Sequence, residues 1–332
     1  MTGGAAPASG GMPRWLSIAL QAAVSIGLIV ALVLIVDWGA MRTAVESLSL
    51  STVAISFVVY FFSQMALVGR WRALISALGV QETWARSWHT IFGGLFLQNF
   101  LPGTLGADGL RVVILSRACG SAATAVGAIV YDRAMQLVFY GLLIALVLIW
   151  PIPALPPRLQ LAIFICAVIG ILAVIGVFWW LSRRPVSAPI LEGGILRKGI
   201  RLLVILVIET GRTQARLRRH RGALSAFWLW SLVNSALIFG VFYVVLLDLG
   251  HDLGLPAIVL IAGVSAIVTG IPISVGGVGP FEATVVALFG LFHVPVAHAF
   301  LMALTIRLIV VVANLTGLPS ALLLWRERRL LN

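Results

Sequence analysis

With 332 residues, 61% of them hydrophobic and only 10% charged, and a mean hydropathy of +1.09, the chain carries more apolar surface than one soluble core can bury. This excludes a soluble enzyme or binding module, and no ~10-residue segments alternate as an outer-membrane barrel requires. The net charge of +12 rests on arginines and Lys198 placed mainly between apolar runs, so topology and anionic headgroups account for it better than nucleic acid does.

In chain order, residues 1–13 are rich in Gly, Ala, Pro and Ser and read as a disordered N-terminus. Arg14 opens an apolar run over 16–36, long enough to span and without a small-residue cleavage site, which reads as an uncleaved first span. Further spanning runs cover 51–69, 122–150, 160–181, 226–247 and 298–324. Two apolar regions are interrupted: 91–117 around 102–109, and 256–292 around 271–280. Their arms are too short for a ~30 Å hydrocarbon core and suit re-entrant half-helices. The fold expected is all-α: a polytopic helical membrane protein with about six full spans plus two re-entrant hairpins. The count could be eight if a broken segment crosses.

The loop 183–221 holds ten of the 23 basic residues and places itself, the 70–90 loop and the 326–332 tail on the cytoplasmic side, with both termini. Within it, Ile200–Ile208 reads either as a helix lying on the inner leaflet, with Arg201, Arg212 and Arg216 toward headgroups, or as a solvated loop. Trp71, Trp84, Trp88, Trp150, Trp179, Trp180, Trp228, Trp230 and Trp325 fall near span ends and read as an interfacial belt.

The first break, Pro102 to Gly109, is echoed at an offset of 170 residues by Pro272 to Gly279, with the pattern Pro-x-Ser/Thr-Leu/Val-Gly-x-x-Gly. The same shift carries span, broken hairpin and span onto a second such set. This defines one transmembrane domain, 14–325, made of repeat one (about 51–150) and repeat two (about 226–324). The charge rule runs 51–69 inward and 226–247 outward, so the repeats are inverted, an architecture recurrent in secondary transporters.

Asp108, Arg111, Asp132, Arg133, Glu282 and Arg307 lie within apolar stretches, where one arginine costs ~2.5–3.5 kcal/mol on insertion scales. They must pair or line water. The opposite charges available are Asp108 and Glu282 in the hairpins and Arg133 and Arg307 on the spans that follow. Adjacent Asp132 and Arg133 cannot face each other on one helix, so each needs its own partner. One reading is of ion pairs that only hold the halves together. The other is a polar cavity at the repeat interface, where backbone amides and half-helix N-termini hold an anionic headgroup. Its candidate binding residues are Asn99, Thr104, Gly106, Asp108, Gly109, Arg111, Asp132, Arg133, Ser274, Gly276, Gly277, Gly279, Glu282 and Arg307. Cys119 and Cys166 have no CxxC-like neighbour and the five histidines are scattered, so no metal or cofactor is expected.

Pro102–Arg111 followed by Asp132-Arg133, and Gly276 to Glu282 followed by Arg307, resemble the flippase-like transmembrane domain of lysylphosphatidylglycerol synthases over residues 15–325. Stand-alone members include UPF0104-type and hopanoid-associated membrane proteins. The resemblance implies a lipid translocase of the bacterial inner membrane, moving a phospholipid or a polyprenyl- or hopanoid-type lipid between leaflets. It does not imply synthase activity, since the chain stops at Asn332 where that domain would follow. The alternatives are an accessory or scaffold subunit of a lipid or glycolipid pathway, with a homodimer or a synthesis partner, and a membrane-embedded headgroup transferase. Asp108-Gly109-Leu110-Arg111 departs from the phosphatidyl-transfer pattern because its arginine comes too early and the later aspartates are missing. The chain is accordingly expected not to be an enzyme.

Overall fold

A computed structural model describes residues 14–101, 105–182, 208–270, 274 and 277–330, and it is helical throughout. The helices are α1 (Arg14–Ile35), α2 (Trp38–Ser47), α3 (Leu50–Ala77), α4 (Trp84–Gln98), α5 (Leu105–Cys119), α6 (Ala122–Val147) and α7 (Pro157–Ser182), then α8 (208–219). After it come α9 (Arg221–Asp248), α10 (Gly254–Gly270), α11 (Pro280–Gly290), α12 (Val296–Leu315) and α13 (Leu318–Leu330). The chain is a polytopic helical membrane protein: among the described residues five helices are long and apolar enough to cross, with α1 and α2 forming a sixth, bent candidate.

The seam of the molecule is α3 against α9, the most extensive helix–helix contact present. The two run antiparallel. Ser49 bonds Asp248 at one end, while Arg70 lies over the Phe227 ring near the other. Both helices have 28 residues. Each is followed by a helix pair, α4–α5 or α10–α11, packed on itself, and then by a long helix, α6 or α12. Element order and antiparallel direction together make the inverted repeat expected from the charges. Within the first pair the partners Gly93 with Leu110, Gly94 with Ala107 and Gly106 with Leu97 and Gln98 define a chain that turns back on itself. A Cβ on Gly106 would sit 2.5 Å from the Gln98 nitrogen, so only glycine closes this tip. The arms of 15, 15, 17 and 11 residues are about 16–26 Å long at 1.5 Å per residue, short of a full crossing.

The buried apolar residues form two clusters, each centred on one unit but reaching into the other, with Phe227 of α9 in the first and Tyr140 and Ile144 of α6 in the second. One apolar cluster gathers Trp71, Leu74, Phe92, Leu115 and Ile129 of unit one, and the other gathers Val245, Ile258, Val285, Phe289 and Met302 of unit two. Helix α7 packs on α6, and its most apolar window is only 6% buried, so it turns its flank to lipid.

Several expectations change in detail. The span expected over 51–69 continues to Ala77, which takes Arg70 into the helix interior. Trp71 is fully buried, so it belongs to the core and not to the interfacial belt, whereas Trp84, Trp150, Trp179, Trp180 and Trp325 are exposed. The run 298–324 is interrupted at Thr316–Gly317, and α13 carries on to Leu330. α1 and α2 meet at 92°, with Asp37 capping α2 by accepting from the Gly39 and Ala40 amides. The second half of the basic loop is the helix α8, docked on α6: Glu209 accepts from the Thr124 hydroxyl at 2.9 Å and pairs with Arg212, and Thr210, Thr213 and Leu217 are buried. Arg212 and Arg216 stay exposed, while residues 1–13, Arg201 and the rest of 183–207 lie outside the described residues.

Candidate functional site

Sequence places two carboxylates early in the half-helices α5 and α11, and an arginine 25 residues after each. Asp108 accepts from Arg133 Nη2 at 2.7 Å and from its Nε at 3.0 Å. Glu282 accepts from Arg307 Nε at 2.7 Å. Corresponding members of the two pairs are 174 residues apart, so the repeat is real at the level of charge as well as of helices. The two-helix seams of 28 residues, by contrast, match at 171. The added residues fall between the arms of the second hairpin. The 170-residue echo therefore does not join equivalent places: Gly109 is helical, whereas Gly279, its match in the echo, lies in the connection with φ of 92°.

Glu282 is held on both sides. Its second carboxylate oxygen accepts from the Gly279 amide at 2.7 Å, capping α11, while Arg307 also donates to the Gly277 carbonyl at 2.8 Å. A carboxylate in the first turn complements the helix dipole, and the arginine neutralises it. Both oxygens of Glu282 are thus engaged within this second pair and its helix cap.

Unit one is built further. Asp132, with no exposed surface, receives Arg70 through Nε and Nη2 at 3.0 and 2.8 Å on one oxygen and Arg111 Nη2 at 3.0 Å on the other. Arg111 also reaches Asp108 at 3.4 Å and lies 4.4 Å above the ring of Trp71. The five charges thus alternate in space as Arg70, Asp132, Arg111, Asp108, Arg133, three cations to two anions. Adjacent Asp132 and Arg133 do find separate partners. Transposed to unit two, Arg70, Arg111 and Asp132 become Val241, Val285 and Ile306, all buried in apolar core.

Beside this chain of charges lies a cavity of about 180 Å³. Its wall includes Arg70, Arg111, Asp132 and Arg133, with Tyr60, Gln64, Gln136 and Asn234 supplying neutral hydrogen-bonding groups. Arg133 is the most exposed of the five, at 34% of its side chain, and presents its guanidinium there while donating to Gln136 at 3.2 Å. About 180 Å³ is below the 300–1,000 Å³ of a whole small-molecule site, so the space suits only a small polar group. Among the described residues, Gly106, Gly109, Gly277 and Gly279 are not part of its wall.

Of the residues anticipated from sequence, Arg111, Asp132 and Arg133 form the wall and Asp108 stands behind them. Asn99 instead donates to the Val311 carbonyl and accepts from Asn314, tying the hairpin tip to α12. Ser274 is buried with no hydrogen-bond partner among the described residues, and Gly277, Gly279, Glu282 and Arg307 form the separate second pair. Gly106 and Gly109 line a different groove on the far side of α5. Thr104 and Gly276 lie outside the described residues. Sequence reasoning missed Arg70, Gln64, Gln136 and Asn234. A signal for Arg70 was present: apolar residues continue past it through Trp71, Ala73, Leu74, Ile75 and Ala77.

The family model described as the lysylphosphatidylglycerol synthase TM region matches residues 18–317. A UPF0104 membrane protein of Pyrococcus horikoshii is 23% identical over 301 residues, which is 84% of this chain and 90% of that protein.

Proposed function

This chain belongs to the lysylphosphatidylglycerol synthase transmembrane-region family, and from that membership we propose that it is a lipid translocase, moving an anionic lipid or lipid-linked substrate between leaflets of the inner membrane. One observation carries the reading: a headgroup-sized cavity within a membrane domain is walled by a charge chain with one arginine in excess. A pure ion-pair clamp needs no excess, as the one-to-one Glu282–Arg307 pair of unit two illustrates. A phosphate diester supplies the missing negative charge and the acceptors that arginine forks hold well. Acyl chains would remain in lipid while the headgroup occupies the cavity. The charge distribution supports both termini and the basic loop 183–221 facing the cytoplasm, against anionic headgroups. The role proposed is transport and not chemistry, since both carboxylates of the chain are held by arginines and the described wall residues include no activated nucleophile.

The test is reconstitution in liposomes containing fluorescent phosphatidylglycerol or phosphatidylcholine, read by an impermeant quencher. Wild type is expected to expose the anionic lipid at least tenfold faster than Arg133→Gln, which leaves Asp132 with both of its arginines. Equal rates in the two proteins would move the reading to an accessory subunit of a lipid-synthesis complex.

A further inference from the structure

The neutral side of the cavity wall is as deliberate as the charged side. Tyr60 and Gln64 lie one turn apart on α3, Gln136 and Tyr140 follow Arg133 along one face of α6, and Asn234 enters from α9. An amide inside a span often serves as glue between helices. Here bonding consumes one end of each amide, and the partner dictates which end. Asn234 meets the Ser63 carbonyl at 2.8 Å, which only its nitrogen can do. The Ser63 hydroxyl is spent on the Tyr60 carbonyl at 2.6 Å, so Gln64 meets its oxygen with nitrogen at 3.1 Å. Arg133 has only donors to offer, so Gln136 meets it with oxygen at 3.2 Å. What is left for the cavity is Gln64 Oε1 and Asn234 Oδ1 as fixed acceptors and the Gln136 amide nitrogen as a fixed donor. Nothing among the described residues bonds these three atoms, and none is sealed in the core. Tyr60 and Tyr140 add hydroxyls that can play either role.

We propose that the cavity reads the hydroxyl groups of a small polyol esterified to the lipid phosphate, with Gln64, Asn234 and Gln136 as its specificity-determining residues. The inference rests on the proposed function in one respect, that the cavity takes a lipid headgroup at Arg133, and not on that headgroup being moved. A hydroxyl both donates and accepts, so neighbouring hydroxyls can satisfy two acceptors and a donor together. A simple alkyl ester of the same charge brings no donor and leaves both amide oxygens unpaired, the condition under which a polar site rejects a ligand most strongly. An ammonium headgroup donates but accepts nothing. The carboxylates that would neutralise it, Asp108 and Asp132, are already engaged by Arg133, Arg70 and Arg111. Size sets the other bound, since about 180 Å³ admits a small polyol and not an extended glycan.

The experiment is native mass spectrometry of the full chain purified with equimolar phosphatidylglycerol, phosphatidylmethanol and phosphatidylethanolamine. These place a polyol, an alkyl group and an ammonium on the same phosphodiester. Lipid that Arg133→Gln also retains is subtracted, so that only the cavity is read. The parent is expected to retain phosphatidylglycerol about tenfold or more over either competitor. Gln64→Met and Gln136→Met each remove one fixed group at nearly constant length, and each should lower that preference about threefold or more. Asn234 is left in place because its nitrogen holds the seam. If Gln64→Met does not yield monodisperse protein, Gln136→Met decides alone. Equal retention of phosphatidylglycerol and phosphatidylmethanol, preference for phosphatidylethanolamine, no lipid beyond that kept by Arg133→Gln, or an unchanged preference in the variants would each overturn the proposal. Selective retention without quencher-detected transport would overturn the translocase reading alone. Transport of phosphatidylglycerol and phosphatidylmethanol at equal rates would overturn this inference alone.

Discussion

Asn234 donates its side-chain amide to the carbonyl of Ser63 at 2.8 Å, and these two residues, 171 apart, hold the same position in the two repeat units. A residue can touch its own counterpart only near a two-fold axis. The axis therefore passes through the α3–α9 seam, perpendicular to both helices, and the polar cavity that Asn234 also lines sits beside it.

Antiparallel seam helices make a prediction about sidedness. The loops that follow them, containing Glu82 and Asp252, must leave opposite faces of the membrane. Single cysteines at these two positions, in a chain with Cys119 and Cys166 replaced, are expected to react with an impermeant maleimide from opposite sides. Labelling of both from one side would falsify the inverted repeat.

Unit two supplies its own design for a charge-free unit one. Replacing Arg70→Val, Arg111→Val and Asp132→Ile together copies the counterpart residues and removes the buried charges as a set. Such replacements are often neutral or stabilising by about 1–4 kcal/mol, whereas removing one partner costs about 3–5 kcal/mol. The triple variant is expected to survive heating at least as well as wild type, and Asp132→Ile alone to lose monodispersity. Size-exclusion chromatography after a thermal ramp reads both, and the triple variant should transport nothing.

The Glu282–Arg307 pair of unit two gives a parallel case. Glu282 is 1% exposed and bonded to both Arg307 and the Gly279 amide. Glu282→Ala should destabilise by about 3–5 kcal/mol, and Glu282→Met/Arg307→Met by clearly less. A double-mutant cycle on thermal midpoints measures the coupling. A double variant worse than Glu282→Ala would mean that the pair contributes through more than charge cancellation.

One titration lies outside the spans. His251, in the α9–α10 loop, has its Nε2 2.7 Å from His298 Nδ1, and burial followed by the neighbouring imidazole pushes its pKa below the ordinary value. A base with a lowered folded pKa binds protons more readily when unfolded, so its stabilising contribution is present above an unfolded value of about 6.5 and is lost on acidification through the lower folded value. Thermal stability should fall between about pH 7 and pH 5, and His251→Gln should flatten that slope. An unchanged slope in the variant would assign it to other groups.

The architecture was legible because lipid imposes it. Apolar length marks spans, short arms mark half-helices, and the pairing of Asp108 with Arg133 and Glu282 with Arg307 follows from the expense of unpaired charge in hydrocarbon. What escaped were features set by three-dimensional neighbours. Arg70 sits where an apolar run gives way to charge, and only its burial against Asp132 distinguishes it from a loop arginine. The Pro/Gly echo aligned the loops at 170, but the carboxylates that matter sit 174 apart, because connections tolerate added residues while paired side chains fix the distance between helices. Equal weight for the two hairpins was a natural reading of the sequence, and the burial of Val241, Val285 and Ile306 removes it.

The charge chain of unit one has a dry end and a wet end. Trp71 closes it beneath Arg111, Arg70 is packed against the seam, and Arg133 alone opens substantially to the cavity. Under the proposed function, an anion arriving at Arg133 would compete with Asp108 for that guanidinium. A hydrogen bond released there would free an acceptor for the next arginine inward, from Arg111 through Asp132 to Arg70 on α3. Occupancy of the cavity would in this way be felt at α3, one of the two helices of the seam through which the two-fold axis passes.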